Sequence, residues 1–473
     1  MTDQDQLAEL SAVEQHRVFA DGSTSPVAVT RAALERIAAA EPTLHAMQTV
    51  WADRAMAAAA ASAQRWAEGR PLSGLDGVTV TIKENVDVAG EPTRWGTAAS
   101  PDVPATRTAP VAMRLFDAGA VVLGKTTMPD WGMLSSGVSS VHPTTRNAWN
   151  IAWNPGGSSS GAGAATAAGY APINLGSDIG GSIRLPAAWN GCLGYKPSFG
   201  RIPVDPPYIG RTIGPLARTV ADIAVTMAVL SGPDERDPYS LPDQTIDWDD
   251  LMFPGSPQTR PLRIGLLLDA GTGTPVTDET AAAVRTAAQV FADHGAEVEV
   301  LAPFLTADML RRVDQFWRVG HWNDYLALPA DRRELLLPFI ADWCRTGAEL
   351  TGPQATAGSD AQLQIARSAL AATADVDLVL SPVSPVPTYP ADWPMPSNDV
   401  DHAMDHIGFC MPYNMSGQPA ISVNCGYTAD GRPIGLQIAG RRFADRTVLA
   451  AADFYGNATA DTDTQRPWPK IWQ

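Results

Sequence analysis

Alternation of apolar and polar residues predicts a β-strand over residues 77–83, where the sequence reads GVTVTIK. Valine and isoleucine alternate there with threonine and Lys83, so the lysine lies on the threonine face of the strand. Other short apolar runs predict further strands at 120–124, 262–268, 297–301, 377–381, 420–427 and 434–438. The last two strands flank Asp430 and Gly431, a pair that is common in hairpin turns.

Helical spacing of apolar residues predicts helices between these strands. One helix starts after Thr219, which can cap its first turn, and ends at Gly232-Pro233. A second covers residues 278–294, ends at Gly295 and joins two predicted strands into a βαβ-like unit. The pattern predicts an α/β fold, in which a large mixed central β-sheet is flanked by helices on both faces. Residues 232–260, rich in proline and aspartate, are expected to form an excursion from this core.

Composition excludes several classes of partner. The chain has 473 residues, 45% of them apolar, which is enough for a large core. Its formal charge of −17 repels phosphate backbones and anionic lipid, so neither nucleic acid nor a membrane surface is an expected partner. The N-terminal segment MTDQDQLAEL lacks the features of a signal peptide. The alanine-rich stretches at 56–63 and 161–169 are typical of closely packed helices.

The cysteines and histidines give no sign of a metal site or a cofactor. The four cysteines are scattered without any CxxC pair, which favours free thiols in a reducing cytoplasm; they are Cys192, Cys344, Cys410 and Cys425. His402 and His406 are four residues apart and could share a helix face. Without a third ligand nearby, we expect this pair to lie on the surface.

Three serines stand in a row in the segment NPGGSSSGAG at 154–163, which has three interpretations. The first is a flexible linker, but the segment is short and a helix-compatible AATAA follows it. The second is a nucleophile elbow of the form GxSxG, with Ser159 as the nucleophile. An elbow needs a buried strand directly before it, and Pro155 stands there instead. The third interpretation depends on a second segment further along the chain.

That second segment is GSDIGGSIRLP at 176–186, where Ser182 follows two glycines. Consecutive backbone N–H groups with little side-chain obstruction can converge on the oxygen that becomes negative during acyl transfer. Asp178 and Arg184 flank the turn with opposite charges and can fix it by an ion pair.

Together with GVTVTIKENVDVAG, these two segments resemble the amidase signature family. Ser182 lies 24 residues after Ser158, the spacing usual in that family. The resemblance is good over roughly 25–230 and moderate over 262–300 and 376–455. Further similar segments are GKTTMPDWG, RNAWN, GYKPSFGRIP, GPLARTVADIA, DLVLSPVSPVP, NMSGQPAISV and DGRPIGLQIAG.

The resemblance implies one domain over residues 1–473. Its core segments would be 70–230 and 376–455, and a variable region at about 302–370 would form the substrate pocket. Aromatic residues are frequent in the pocket region; they are Phe316, Trp317, Trp322, Tyr325, Phe339 and Trp343. They have two interpretations, either ordinary packing or an apolar pocket for aryl or long-chain acyl groups.

The resemblance also implies a catalytic triad. Ser182 would attack the carbonyl, Ser158 would relay its proton, and Lys83 would be the terminal base. The peptide bond before Ser158 would be cis. The N–H groups of three residues would form the oxyanion hole, namely Ile179, Gly180 and Gly181. Supporting roles would belong to Ser159, Asp178 and Arg184. Since a free lysine is almost fully protonated at pH 7, Lys83 must be buried to act as a base.

The family resemblance implies an amidohydrolase without metal or cofactor, acting on small amides or carbamates. Aryl amides and urethanes are expected substrates, and esters would be a side reaction. An A-type subunit of a glutamine-dependent amidotransferase and a catalytically dead scaffold are the alternatives, and a homodimer, as in many relatives, is left open. Single positions depart from the family pattern without removing a triad member; they are Glu84, Asp130, Ala148 and Ser160.

Overall fold

A computed structural model describes residues 3–248, 261–462 and 466–471 of the chain. The predicted excursion at 232–260 therefore lies in part, over 249–260, outside the described residues. Eleven strands within these ranges form one sheet in the order β1-β3-β2-β4-β6-β5-β10-β11-β9-β7-β8. The strands are β1 Met47–Val50, β2 Thr79–Lys83, β3 Val121–Thr126, β4 Ile173–Asp178, β5 Leu193–Lys196, β6 Thr212–Ala217, β7 Arg263–Leu266, β8 Glu297–Val300, β9 Leu378–Pro382, β10 Ala420–Tyr427 and β11 Pro433–Gly440.

The sheet is mixed, as the sequence predicts. Strand β2 is parallel to both β3 and β4, and β7 is parallel to both β8 and β9. The central pairs between β4 and β11 are antiparallel. The predicted βαβ unit is present as β7, the helix Asp278–Asp293 and β8. The hairpin at Asp430 and Gly431 joins β10 to β11, and Gly431 has a positive φ of 92°. Strands β4 and β6, in the middle of the sheet, were not among the predicted strands.

Helices connect most of the strands. They are α1 Asp3–Glu9, α2 Ala12–Ala20, α3 Pro26–Leu44, α4 Ala52–Ala67, α5 Pro110–Asp117, α6 Ser160–Ala168, α7 Arg184–Asn190, α8 Val220–Leu230, α9 Asp278–Asp293, α10 Ala307–Ala327, α11 Ala330–Arg333, α12 Pro338–Thr346, α13 Gly352–Ala372, α14 Met411–Met415 and α15 Asp445–Ala458. Thr219 caps α8 as predicted, because its side chain accepts a hydrogen bond from the Asp222 N–H.

Helices cover both faces of the sheet. In β3, Val122 packs into a core shared with α5, α8, α9 and α15, whereas Val121 and Leu123 pack into a core shared with α3, α4 and α6. In β6, Ala217 belongs to the first of these cores, while Leu216 packs with α6 and α7 on the other side. Side chains alternate between the two faces of a strand, so these contacts place helices on both faces. The predicted fold class is confirmed.

Candidate active site

Lys83 is the last residue of β2 and is fully buried. Its Nζ lies 2.8 Å from Ser158 Oγ and 3.0 Å from Ser177 Oγ. Ser177 is on the parallel neighbour β4, and its hydroxyl also accepts a hydrogen bond from the Asn85 side chain at 3.1 Å. The amine is therefore held between two hydroxyl groups in the interior of the protein.

The pKa of Lys83 is lowered to about 7 from the usual value of a lysine. Burial is the main cause, because a charged ammonium loses its hydration inside the protein. The positive charge of Arg211 lowers this pKa further, while Asp178 and Glu84 act in the opposite direction. A substantial fraction of the Lys83 amine is therefore neutral at pH 7 and able to accept a proton.

Ser158 lies in the turn that leads into α6, and the Gly157–Ser158 peptide bond is cis, as the family resemblance implies. Gly157 is closely surrounded, because a Cβ at this position would lie 2.5 Å from the Ser136 backbone nitrogen. The turn therefore requires glycine before Ser158.

Ser159 is fully buried, and its Oγ contacts the backbone of Ser177, with the carbonyl oxygen at 3.3 Å and the amide nitrogen at 3.2 Å. Ser158, in contrast, lines a large cavity. The Ser159 side chain thus joins the serine turn to β4. The Ser159 side chain does not line the cavity.

The turn with Ser182 follows directly after β4 and is organised by Asp178. The Asp178 carboxylate accepts hydrogen bonds from the backbone of Gly181 at 2.8 Å and of Ile183 at 3.1 Å. It also forms a buried ion pair with Arg184, at 2.9 Å. Burial alone would raise the pKa of Asp178, but the charge and hydrogen bonds of Arg184 hold it well below its usual value. The carboxylate therefore stays ionised and fixes the turn.

The three residues expected to form the oxyanion hole differ in their surroundings. Ile179 and Gly180 line the cavity beside Ser182. The Gly181 N–H is engaged by Asp178, and Gly181 has a positive φ of 123°. Ile179 and Gly180 thus lie at the cavity, whereas the Gly181 N–H is already engaged. The Ser159 N–H donates to the Ser182 carbonyl at 3.2 Å, which connects the two serine turns.

A cavity of about 640 Å³ opens onto Ser158, Ser177 and Ser182. Its walls are largely apolar and include Trp317 from α10, together with a few charged or polar side chains. Residues that line it besides the turn of Ser182 include Asn85, Trp95, Met128, Trp131, Leu134, Ser135, Tyr208, Arg211, Trp317, His321, Asp324, Leu328, Met395, Met404 and Ile407. This composition is typical of a site for a small, mainly apolar ligand.

Of the aromatic residues in the predicted pocket region, Trp317 lines the cavity. Phe316, Trp322 and Phe339 pack around the apolar cluster next to it, and Trp343 is buried within that cluster. The packing interpretation is therefore right for most of this set.

The expectation for His406 is wrong, because this histidine is buried while His402 is exposed. The two residues lie in successive 3₁₀ turns, Val400–His402 and Asp405–Ile407. His406 Nε2 lies 2.7 Å from Ser135 Oγ, next to the cavity, and its ring stacks on Trp189. Burial lowers the pKa of His406 to about 3, so the ring is neutral. Periodicity could not show this, because the burial comes from distant segments.

Glu84 and Asp130, two residues that differ from the usual family pattern, form local contacts. Glu84 lies 3.0 Å from His142 Nε2, and Asp130 accepts two hydrogen bonds from Ser140, from its N–H at 2.8 Å and its hydroxyl at 2.7 Å. Both carboxylates are buried.

Comparison with known proteins identifies the family of this chain. The family described as Amidase matches residues 28–449, nearly the whole chain. The chain belongs to this family, the amidase signature enzymes.

Three similar proteins span almost the full length. The A-type subunit of the glutamyl-tRNA(Gln) amidotransferase of Chloroflexus aurantiacus is 33% identical, over 98% of this chain and 99% of that protein. An acylamidase of Rhodococcus erythropolis is 31% identical, over 99% of this chain and 98% of that protein. The crystal structure of a bacterial aryl acylamidase of the amidase signature family superposes with a TM-score of 0.86, at 29% identity and 98% coverage of both chains.

Membrane spans and metal sites are both missing from the described residues. None of the helices in those ranges combines the length and the apolar character that a membrane span needs. Within the same ranges, no group of three or more histidine, cysteine, aspartate or glutamate side chains is arranged to hold a metal ion. The four cysteines are free and buried.

Proposed function

We propose that this protein is an amidohydrolase that cleaves the C–N bond of small amides through an acyl-enzyme on Ser182. The observation that carries the proposal is the contact of 2.8 Å between Lys83 Nζ and Ser158 Oγ at the edge of the cavity onto which Ser182 opens. A serine is a weak nucleophile until a base removes its proton. The buried lysine, with its pKa lowered to about 7, is such a base.

The reaction begins when Ser182 Oγ attacks the carbonyl carbon of the amide. The Ser182 proton passes to Ser158, whose own proton passes to Lys83. The N–H groups of Ile179 and Gly180 donate to the oxyanion of the tetrahedral intermediate. When the C–N bond breaks, Lys83 returns the proton through Ser158 to the leaving amine. Water then attacks the acyl-enzyme by the same relay and releases the acid.

The proposed substrates are aryl amides, with carbamates as a second group and esters as a side reaction. The apolar cavity, with Trp95, Trp131 and Trp317 in its walls, supports an aromatic or aliphatic body. The similarity to an acylamidase and to an aryl acylamidase points the same way. We propose that the whole chain acts as one catalytic domain, and that its free thiols belong to the reducing cytoplasm.

An A-type amidotransferase subunit is the second candidate, favoured by the 33% identity to the Chloroflexus aurantiacus protein. Such a protein would release ammonia from glutamine and would need partner subunits. Glutamine as the preferred substrate of the isolated chain, or strict dependence on partners, would support this candidate. A catalytically dead scaffold is disfavoured, because Lys83, Ser158 and Ser182 are all present.

The test combines labelling with turnover. A fluorophosphonate probe should modify Ser182 in the wild type, as mapped by peptide mass spectrometry, and should modify it much less in Lys83→Ala. The same wild-type protein should hydrolyse acetanilide. Ser160→Gly is the matched control, since this neighbouring serine contacts the Thr127 carbonyl and does not line the cavity. An adduct on Ser159 that does not depend on Lys83 would overturn the assignment.

A further inference from the structure

Arg211 is a cation in the wall of an otherwise largely apolar cavity. Its guanidinium carbon lies 5.3 Å from the centre of the Trp95 ring and 5.0 Å from the centre of the Tyr208 ring. Both aromatic residues line the same cavity. Stacking of this kind orients a guanidinium plane without neutralising its charge. The edge of the guanidinium, with its N–H donors, stays available to a ligand.

No ion pair involves Arg211 in the part of the chain that the structure describes. Its hydrogen bond from Nη1 to the Pro206 carbonyl is long, at 3.5 Å. The two carboxylates in the cavity wall have other neighbours, because Asp178 pairs with Arg184 and Asp324 lies 3.0 Å from His321. Arg218, which is partly buried like Arg211, donates instead to two backbone carbonyls at 3.0 and 2.9 Å, whereas Arg211 has, within the described residues, only the long hydrogen bond to Pro206.

Burial lowers the pKa of Arg211, which agrees with a cation that has lost hydration without gaining an acid. Its positive charge also lowers the pKa of Lys83. Arg211 and Ser182 line the same cavity, so one substrate can contact both. A carboxylate on that substrate would form two parallel charge-assisted hydrogen bonds with the guanidinium fork.

We propose that Arg211 determines specificity by binding a carboxylate on the substrate, so that the enzyme prefers amides that carry a free carboxylate. The substrate class comprises monoamides of dicarboxylic acids and N-acylated aminocarboxylic acids. The apolar walls then hold the methylene or aryl body between the carboxylate and the scissile bond. This inference rests on the proposed amide hydrolysis, and it names a substrate group for the same site.

Two matched pairs of substrates test the proposal. In the first pair, succinanilic acid, which carries a carboxylate on its acyl group, is compared with butyranilide. In the second pair, 4-acetamidobenzoate, which carries the carboxylate on its aryl amine, is compared with acetanilide. In the wild type, kcat/KM should favour the carboxylate in at least one pair. Arg211→Gln should reduce that preference by about 10- to 100-fold, as expected for hydrogen bonds between charged groups. Arg211→Lys should retain part of it.

Arg54→Gln is the matched control. Arg54 also lies over two aromatic rings, Trp51 at 5.0 Å and Phe116 at 4.6 Å, but it is exposed and outside the cavity. This variant should keep the wild-type preference. Because the preference is a ratio within one variant, a general loss of activity in Arg211→Gln does not affect it.

Binding without turnover separates this proposal from the proposed function. Ser182→Ala protein, with and without Arg211→Gln, is titrated calorimetrically with both members of each pair. Tighter binding of a carboxylate compound, lost in the double variant, supports the carboxylate site even if no amide is cleaved. Equal binding within both pairs overturns it, even if the wild type hydrolyses acetanilide and butyranilide well. Failure to cleave any of the four amides counts against the hydrolase proposal alone.

Discussion

Lys83 Nζ and Ser158 Oγ lie 2.8 Å apart although 75 residues separate them in the chain. The lysine ends β2, while the serine precedes α6, which packs against the same strand. The contact joins an amine with a lowered pKa to a hydroxyl that opens onto the cavity. The activity and the stability of the protein should both depend on this pair.

The pH dependence of hydrolysis should report the titration of Lys83. Because only the neutral amine accepts a proton, kcat/KM for acetanilide should rise with pH through a midpoint of about 7 and then level off. The measurement is kcat/KM between pH 5 and 9. A profile that is flat across this range would argue against Lys83 as the base.

Arg211→Gln should move this midpoint to higher pH. The Arg211 charge disfavours protonated Lys83, so its removal raises the lysine pKa and lowers activity at pH 7. The measurement is the same pH profile with neutral acetanilide. The control variant Arg54→Gln should leave the midpoint unchanged. An unchanged midpoint in Arg211→Gln would show that the charge of Arg211 does not affect the pKa of Lys83.

Ser158→Ala should reduce kcat by at least about 100-fold, the scale of a lost proton-transfer group. The affinity for the substrate should change less, because the role proposed for Ser158 is proton transfer during bond making. Ser160→Gly is the matched control: this serine bonds the Thr127 carbonyl at 3.3 Å and stands where the family usually has glycine. Steady-state kinetics should show nearly wild-type activity for it. Similar losses in both variants would indicate a general disturbance of the turn.

Lys83→Met should abolish hydrolysis but raise the thermal stability of the protein. The folded pKa of Lys83 is about 7, below the usual value of a lysine, so burial of the charged form costs stability. This cost is complete below pH 7 and disappears as the pH rises toward the unfolded pKa of about 10.4. Melting temperatures measured at pH 6 and 9.5 should therefore show a larger gain at pH 6. An equal gain at both values would contradict the assigned pKa.

Asp178→Asn should destabilise the fold and impair catalysis together. The substitution leaves Arg184 buried without its acid, and breaking a buried pair in this way costs about 3–5 kcal/mol. Denaturant unfolding measures the loss. Asp308→Asn, which removes an exposed acid at the start of α10, should change stability little. Wild-type stability in Asp178→Asn would show that the carboxylate does not hold the turn.

Local patterns in the sequence were sufficient for much of the fold, whereas the candidate triad came from the resemblance to the amidase signature family. Seven of the strands and the helices α8 and α9 follow from periodicity and capping residues. The segments around Lys83, Ser158 and Ser182 could be found because each resembles a short segment of that family, in the same order and with the usual spacing of 24 residues between the two serines. The central strands β4 and β6 escaped prediction, since glycine and polar residues in them interrupt the apolar pattern.

The sequence by itself thus determined the class of fold and the residue types of the chemistry. Only the tertiary structure decided which groups surround them. Ser177 reaches Lys83 because β2 and β4 pair in parallel, and His406 is buried by segments far from it in the chain. Arg211 enters the cavity from the residue before β6. The lowered pKa of Lys83 likewise comes from burial and from the charge of Arg211. Both causes depend on how distant segments pack together, so the residues next to Lys83 in the sequence could not indicate them.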